Sequence, residues 1–270
     1  MLPFAQFPQT SRSQIRYVLT DIDDTLTCKG RLVADAFAAM DKLKQANCYV
    51  IPITGRPAGW CDHIARMWPV DGVIGENGAF YFCYDEHQKK VHRRYWKTAL
   101  QRQADQRRLD KLRDKILKDV PGCRISADQS YREADLAIDF CEDVPALPKN
   151  DIHKIVHLFS DAGATAKISS IHVNGWFGDY DKLEMTRLMF KERFQCDLEK
   201  IKHRVIYCGD SPNDAPMFAF FPNSVGVANV LDFKDEIDSL PTWITQNSGG
   251  YGFTEMVNYL LQNMELSDNE

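Results

Sequence analysis

The chain has no excess of positive charge, since 33 lysines and arginines stand against 38 aspartates and glutamates in 270 residues. Proteins that bind nucleic acid through its phosphates usually carry a basic surface, so we expect no nucleic-acid partner. Glycine (15 residues) and proline (12 residues) are too few for a collagen-like or linker-dominated chain. With 44% hydrophobic and 11% aromatic residues, the composition is sufficient for a sizeable core and excludes global disorder.

Close cysteine pairs and long apolar runs are also missing. The eight cysteines include no C-x-x-C pair, which is the spacing typical of structural zinc sites. No apolar run approaches the ~18 residues of a membrane-spanning helix, and no apolar segment of secretory type follows Met1. We therefore expect a cytoplasmic protein with reduced cysteines and no membrane partner.

Strand-like and helix-like segments alternate in both outer parts of the sequence. Residues 16–23 and 48–54 are short apolar runs typical of buried strands, and residues 33–46 between them have apolar side chains at helical spacing. Another strand-like run, over residues 204–210, follows a helical segment that begins at Lys182. This alternation predicts an α/β fold with a Rossmann-like core of parallel strands.

The middle of the chain has a different pattern. Its predicted elements are helices over 101–119 and 149–162 and strands over 88–95, 136–140 and 165–173. Helices beside antiparallel strands predict a separate α+β unit. We place this inserted unit at residues 85–177 and the parallel-sheet core at residues 1–84 and 178–270, and we expect the last six residues to form a polar tail.

Two of the strand-like runs end in acidic residues. Asp21 and Asp23 lie on one side of the first run because side chains alternate along a strand. Asp210 and Asp214 follow the run over 204–210. Taken singly, such acids are also common in turns and helix caps. At the carboxyl ends of parallel strands, however, they can converge on one hard cation, and the predicted cofactor is Mg²⁺.

A threonine and a lysine stand at two further segment boundaries. Thr54-Gly55-Arg56 closes a strand-like run, where a hydroxyl and exposed backbone N–H groups can hold a phosphoryl oxygen. Lys182 opens the helical segment after the inserted unit. In isolation the tripeptide is typical of a turn and the lysine of a solvated surface. The order of acids, threonine, lysine and acids favours a phosphoryl site.

These ordered motifs resemble those of the haloacid-dehalogenase superfamily of phosphotransferases. The matching segments are Asp21-Ile-Asp-Asp-Thr-Leu-Thr27 for its first motif, Thr54 for its second, Lys182 for its third and Gly209-Asp-Ser-Pro-Asn-Asp214 for its fourth. The insertion and the segment Glu76-Asn-Gly-Ala79 resemble the capped type IIB branch, many of whose members are phosphatases acting on sugar phosphates. Leu183 is a mild departure, since many relatives have glycine after the lysine.

The resemblance implies a role for each matching residue. Asp21 would attack phosphorus to form an aspartyl-phosphate, and Asp23 would protonate the leaving alkoxide and then take a proton from water. The implied catalytic set is Asp21, Asp23, Thr54 and Lys182, and the implied substrate-binding set is Thr54, Gly55, Arg56, Lys182 and Asn213. The implied magnesium site consists of Asp21, the backbone carbonyl of Asp23, Asp210 and Asp214, the last orienting the water shell.

The sequence therefore predicts a magnesium-dependent phosphomonoesterase acting on a small phosphorylated metabolite, with sugar phosphates as the leading substrate class. Two alternatives are a phospho-aspartate switch or sensor, which also uses acids, threonine and lysine around magnesium, and a non-catalytic phosphosugar-binding protein. His172 and Trp176 are candidates either to line a sugar pocket or to belong to the core or hinge of the inserted unit. The arginines of that unit are expected to be mostly solvated: Arg93, Arg94, Arg107, Arg108, Arg113, Arg124 and Arg132.

Overall fold

The structure, a computed structural model, describes residues 1–262, and the predicted polar tail lies outside the described residues. The strands are β1 (Leu2–Pro3), β2 (Tyr17–Thr20), β3 (Thr27–Cys28), β4 (Arg31–Leu32), β5 (Tyr49–Pro52), β6 (Val73–Gly75), β7 (Phe80–Asp85), β8 (Lys90–Tyr95), β9 (Arg124–Ile125), β10 (Leu136–Asp139), β11 (Thr165–Ile168), β12 (His172–Trp176), β13 (Val205–Gly209), β14 (Asn223–Gly226) and β15 (Trp243–Ile244). The α-helices are α1 (Gln9–Arg12), α2 (Ala34–Gln45), α3 (Ala58–Met67), α4 (Ala99–Asp119), α5 (Lys149–Asp161), α6 (Lys182–Arg193), α7 (Leu198–Ile201), α8 (Ala215–Phe220) and α9 (Gly249–Leu261). Short 3₁₀ turns cover Phe4–Gln6, Glu76–Gly78, Gln129–Tyr131, Lys202–Arg204, Pro212–Asp214 and Ala228–Phe233.

The main sheet has six strands in the order β1-β15-β14-β13-β2-β5, and every neighbouring pair is parallel. Its strands are buried on both faces, which is why they consist of nearly continuous apolar runs. Val18 packs in the apolar cluster that contains α2 and α9, whereas Leu19, pointing the other way, packs in the cluster that contains α6 and α8. The predicted α/β fold is confirmed.

A three-stranded antiparallel sheet, β6-β7-β8, lies beside the main sheet. An isolated parallel bridge between Ile53 and Ile74 connects it to the end of β5. Val91 of β8 packs in the same apolar cluster as Val18, although the predicted inserted unit begins at residue 85. These contacts favour a boundary after β8, and the division of the chain into domains stays a prediction.

The middle of the chain has its own sheet and its own core. Strands β11-β12-β10-β9 form a four-stranded antiparallel sheet, and α5 packs on β11 and β12. Helix α4 begins with a capping box, in which Thr98 and Gln101 bond each other's backbone N–H groups. The buried cluster of this unit contains Leu109, Ile138 and Phe159 and is separate from the two clusters that flank the main sheet.

One strand prediction in this unit is wrong. Residues 165–173 do not form a single strand but the hairpin of β11 and β12, with a turn at residues 169–171. The backbone N–H of Ser169 donates to the carbonyl oxygen of His172 at 2.8 Å, and the Ser169 hydroxyl accepts from the His172 N–H at 3.0 Å. A serine that bonds nearby backbone groups favours a turn over a continuing strand.

Among residues 1–262, no helix is both long enough and apolar enough to cross a membrane. Helix α4, the longest at 21 residues, is rich in charged side chains.

Gly175 on β12 provides a test of the packing in the inserted unit. A Cβ added there would lie 2.1 Å from the ring of Phe159, which is fully buried and has no room to move away. We expect Gly175→Ala to lower the free energy of unfolding by about 1–3 kcal/mol, as overpacking of a core does. Thermal denaturation followed by circular dichroism measures the loss.

The matched control is Phe159→Leu, alone and combined with Gly175→Ala. If the clash with the ring is the cause, the double variant loses less stability than the sum of the two single variants. Strictly additive losses would contradict this account of Gly175.

Candidate active site

The order of the strands brings three predicted site residues to one edge of the main sheet. Strands β13, β2 and β5 are neighbours, and Asp210, Asp21 and Thr54 follow their carboxyl ends closely. The backbone N–H of Asp21 donates to the carbonyl oxygen of Cys208, so the strand pairing continues up to the carboxylate. This edge is where ligands of open α/β sheets bind.

Three carboxylates lie together at this edge. Asp21, Asp210 and Asp214 are buried, and each offers one oxygen within 4.8 Å of the oxygens of the other two. Burial raises the pKa of Asp21 to about 8, against the opposing effect of Lys182. Burial and the two neighbouring carboxylates likewise hold the pKa of Asp210 well above its usual range. Without a cation, then, keeping all three groups ionised is costly.

Lys182 lies between two of these acids. Its Nζ donates to Asp21 Oδ1 at 2.7 Å and to Asp214 Oδ1 at 2.6 Å, and the side chain is 3% exposed. Burial alone would lower the pKa of Lys182, but the two carboxylates raise it above its usual range. Asp214 also accepts from the Tyr207 hydroxyl at 2.5 Å. The lysine is thus held as a cation beside Asp21.

Asp210 has no such partner among the described residues. Its carboxylate accepts from the Thr25 hydroxyl at 2.8 Å and from the Asn229 side-chain amide at 3.1 Å, both neutral donors. When all three carboxyl groups are ionised, they and the one ammonium leave two negative charges in a buried cluster whose ligand atoms are all oxygen. This donor set fits a hard divalent cation such as Mg²⁺.

A close backbone contact fixes the position of Lys182. Asp181 caps the N-terminus of α6 by accepting from the Glu184 N–H at 2.8 Å. Its carbonyl oxygen lies only 2.0 Å from where a Cβ on Gly78 would be, and Gly78 has φ +107°. Only glycine permits this approach, so the predicted segment 76–79 packs against the start of α6. Leu183, the mild departure from the family pattern, lies within a regular first turn of this helix.

The Thr54 loop presents backbone and arginine groups beside Asp21. Thr54 is fully buried, and its hydroxyl accepts from the Arg56 N–H at 3.0 Å. The carbonyl oxygen of Gly55 accepts from Arg132 of the inserted unit at 2.8 Å. The loop is therefore held by a hydrogen bond within itself and by a hydrogen bond from the inserted unit.

Arg56 connects Asp23 to the inserted unit. Its Nε and Nη2 donate to both oxygens of Asp23 at 2.8–3.0 Å, so the Asp23 side chain does not join the three clustered acids. The same guanidinium lies 3.0 Å from Glu142 and 3.5 Å from Asp128. On its other side it stacks over the ring of Trp60, 4.5 Å from the centroid.

Glu142 also lies at the site, although no local sequence pattern marks it. Its Oε2 lies 2.9 Å from His172 Nε2, and the His172 ring and the Arg56 guanidinium together hold its pKa at about 2. His172 is buried and borders the enclosed space at Asp21, and its role in a sugar pocket stays a prediction. Trp176 instead belongs to the apolar cluster that contains α2 and α9, not to the separate cluster of the inserted unit, and its indole N–H donates to the carbonyl oxygen of Tyr180 at 3.1 Å.

A second buried network ties the two units together behind the site. Glu76 Oε1 accepts from the Ala58 N–H at 2.9 Å, and Oε2 accepts from the Ala134 N–H at 2.6 Å. Arg132 is fully buried at its side chain and pairs with Asp135 at 3.0 Å, contrary to the solvated role expected for most of these arginines. A signal for it was present in the sequence, since Arg132 stands close to Asp128, Glu133 and Asp135, and this spacing favours local ion pairing.

The enclosed space between the core and the inserted unit is small. It measures about 10 Å³ and is bordered by Asp21, Asp23, Arg132, His172 and Asn213, among others. A space of this size has room for about one water molecule. Asn213 borders this space, and its side-chain oxygen accepts from the Ser211 hydroxyl at 2.8 Å, while its role in substrate binding stays a prediction.

Comparison with known proteins agrees with the predicted family. Residues 18–115 match the model of the haloacid dehalogenase-like hydrolases. A Thermoplasma acidophilum protein has 18% identity and a TM-score of 0.69, with 93% of this chain and 99% of that chain covered. The sucrose-phosphatase of Synechocystis, solved with sucrose and phosphate, has 15% identity and a TM-score of 0.62, and the match covers 91% of this chain and 97% of the sucrose-phosphatase. A putative HAD/COF-like hydrolase from Plasmodium vivax has 16% identity and a TM-score of 0.65, and the match covers 92% of this chain and 96% of the Plasmodium chain. No curated protein matches the chain in sequence.

The excess charge at this edge leads to a prediction about metal binding. Because burial raises the pKa values of Asp21 and Asp210, protons compete with a cation for these carboxylates as the pH falls. We expect magnesium at about 100 times its dissociation constant to raise the melting temperature by roughly 5–10 °C at about pH 8. The rise should be smaller at about pH 5.5. Thermal unfolding in EDTA and in magnesium at both pH values measures it.

The control variant for this experiment is Asp210→Asn, which removes one carboxylate and keeps its size. It should reduce the magnesium-induced rise at both pH values. An equal rise at the two pH values, or a full rise in the variant, would mean that the cation binds elsewhere.

Proposed function

Since residues 18–115 match the haloacid dehalogenase-like hydrolases, we propose that the chain is a hydrolase of this family and a magnesium-dependent phosphomonoesterase for a small phosphorylated metabolite. The observation that carries the proposal is the buried cluster of three acids around Lys182. A buried excess of negative charge beside a lysine suits the binding of a divalent cation together with a phosphoryl group. A structural ion pair would be expected to balance its charges instead.

Asp21 is the proposed nucleophile. One of its oxygens attacks phosphorus, the bond from phosphorus to the leaving oxygen breaks, and an aspartyl-phosphate remains. Asp23 gives a proton to the leaving alkoxide, so that an alcohol departs. Asp23 then takes a proton from a water molecule as that water attacks the aspartyl-phosphate, which releases phosphate and restores both carboxyl groups.

The ion pair with Arg56 bears on the role of Asp23. Both oxygens of Asp23 are engaged by the guanidinium, so Asp23 must be released before it can reach a leaving-group oxygen. Glu142 and Asp128 of the inserted unit offer Arg56 alternative partners at 3.0 and 3.5 Å. In the proposed cycle, Arg56 shifts toward these acids as substrate enters.

The remaining proposed ligands surround the phosphoryl group. Thr54 and Lys182 bind its oxygens, with Gly55, Arg56 and Asn213 completing the substrate contacts. Asp21, Asp210, Asp214 and the backbone carbonyl of Asp23 would hold magnesium. When bound, the cation supplies neutralisation of the charge on the transferring phosphoryl group.

For the substrate class we propose sugar phosphates first. Support comes from the fold that the chain shares with the Synechocystis sucrose-phosphatase, at an identity that by itself establishes only the fold. We further propose that residues 85–177 act as a cap. Support for the cap comes from the contacts of Arg132 with the carbonyl of Gly55 and of Glu142 with Arg56, which join this unit to the proposed phosphoryl site.

The proposed function is tested with purified protein and a panel of small phosphoesters. We expect steady release of inorganic phosphate with magnesium, and none in EDTA. Asp21→Asn should abolish formation of the aspartyl-phosphate. Asp23→Asn should slow both its formation and its breakdown by about 10²–10⁴-fold, because it removes general acid and base assistance. Rapid-quench labelling with a radiolabelled phosphoester, followed by peptide mapping, measures both steps.

The same experiment separates a hydrolase from a phospho-aspartate switch. A switch has to retain its acyl phosphate, whereas a hydrolase with a typical turnover of ~1–1000 per second destroys it within about a second. Label on Asp21 that persists for minutes, with a decay unchanged by Asp23→Asn, would replace the phosphatase proposal with the switch.

The proposed cap has a consequence for substrate size. Because the space enclosed beside Asp21 measures only about 10 Å³, a phosphoryl group must enter it by movement of the inserted unit, and a folded phosphoprotein should be excluded. We expect the catalytic efficiency of the protein on a folded phosphoprotein to be at least ~100-fold below its efficiency on the best small phosphoester. Parallel phosphate-release assays on a phosphoprotein and on that phosphoester measure the ratio. Comparable efficiencies would contradict a closing cap.

A further inference from the structure

A second space borders the proposed general acid. It is a groove of about 660 Å³, whose floor is formed by β4 and α3 and whose edge is formed by Tyr131 of the inserted unit. Asp23 lines this groove as well as the enclosed space at Asp21. The enclosed space has room for about one water molecule, and the groove has room for a whole ring system. Asp23 is therefore the point at which the two spaces meet.

The lining of the groove is apolar and aromatic. Trp60, Trp68 and Tyr131 contribute their rings, and Ile22, Leu32 and Ile64 contribute aliphatic side chains. The polar side chains that line it are Asp23, Thr27 and His63. A sugar ring brings several hydroxyl groups, and each one buried without a hydrogen-bond partner is costly. The groove is better suited to a ring with few polar groups.

Two of its aromatic side chains are unusually exposed for their size. Trp60 is 43% exposed and Tyr131 is 57% exposed, although they lie on opposite units of the chain. Trp60 has one face covered by the guanidinium of Arg56, which also binds Asp23. Contact with a bound ring would remove apolar surface from water on both side chains, which is favourable.

The two halves of the groove are brought together at a glycine. A Cβ on Gly59 would lie 2.9 Å from Cβ of Tyr131, so the inserted unit touches α3 directly beside Trp60. The groove in this form exists only while the inserted unit lies over the core. A ligand held between Trp60 and Tyr131 would therefore also favour the closed arrangement.

From this geometry we propose that the groove is the binding site for an apolar ring carried by the leaving group of the substrate. The inference rests on the proposed phosphatase function but departs from the sugar phosphates named there, because the lining of the groove favours a less polar leaving group than a sugar. The phosphoryl group lies at Asp21, the leaving oxygen at Asp23, and the ring beyond it between Trp60 and Tyr131. The preferred substrates are phosphomonoesters of alcohols that bear an aromatic or hydrocarbon ring.

The test compares three esters of primary alcohols, which have similar leaving groups: ethyl phosphate, naphthylethyl phosphate and a hexose phosphorylated at its primary hydroxyl. We expect kcat/KM for naphthylethyl phosphate to exceed that for ethyl phosphate by about tenfold, the upper end for one aromatic contact. Trp60→Ala and Tyr131→Ala should each bring this ratio close to one. The ratio cancels any effect of the substitutions on the phosphoryl site.

The matched control is Met67→Ala, which removes another exposed apolar side chain from the same helix but outside the groove. It should leave the ratio unchanged. A ratio near one in the unsubstituted protein, or a ratio that Trp60→Ala does not alter, would overturn the proposal. So would a preference for the hexose phosphate that depends on Trp60, since the groove would then be a sugar subsite.

A binding measurement separates failure of this inference from failure of the proposed function. Naphthylethanol, which has no phosphate, should bind the unsubstituted protein in titration calorimetry about tenfold more tightly than Trp60→Ala. If it binds in this way and no phosphoester is hydrolysed, the groove stands and the phosphatase proposal fails. If phosphoesters are hydrolysed but naphthylethanol does not bind, the phosphatase proposal stands and the groove proposal fails.

Discussion

The structure depends on an unbalanced charge buried at the carboxyl edge of its main sheet. Asp21, Asp210 and Asp214 are each at most 4% exposed, and among the described residues Lys182 supplies the one positive charge of the cluster, bonded to Asp21 and Asp214. Charges in such surroundings are tolerated only when they are paired, hydrogen-bonded or neutralised by an ion. The hydrogen bonds from Tyr207 and other neutral donors hold the carboxylates in place, but they do not compensate the two excess negative charges of the fully ionised cluster. The proposed binding of magnesium and a phosphoryl group follows from this excess.

Much of the surrounding architecture keeps that cluster in position. The neighbouring strands β13 and β2 bring Asp210 and Asp21 side by side, and a tight contact between Gly78 and Asp181 sets the start of α6, where Lys182 stands. Glu76 binds backbone N–H groups from both the core and the inserted unit. Burial raises the pKa of this carboxyl to about 8, while those N–H donors favour its ionised form. One short segment thus positions the lysine and anchors the unit above it.

The sequence was sufficient for the features that depend on local pattern. Apolar runs that end in acids predicted β2 and β13, and the parallel sheet then placed Asp21 beside Asp210. Contacts between segments that are far apart in the chain could not be predicted from the sequence. Nothing local marked Glu142 as a partner of Arg56, because 86 residues separate them and the contact exists only after the inserted unit folds. The hairpin at residues 165–176 was missed because apolar side chains alternate in the same way along one long strand and along two short strands. The turn between the strands depends on the bonds of Ser169 to the backbone of His172.

Arg56 connects the two spaces of the molecule to the chemistry proposed for Asp23. Its guanidinium contacts the proposed general acid, the acids Glu142 and Asp128 of the inserted unit, and the face of Trp60. A fixed fork of donors cannot satisfy all these partners equally well, so a change at one alters the others. A ring bound against Trp60 would hold the guanidinium from one side while the acids of the inserted unit hold it from another. Release of Asp23 would then accompany closure over a complete substrate, and water alone in the enclosed space would leave Asp23 paired with the arginine.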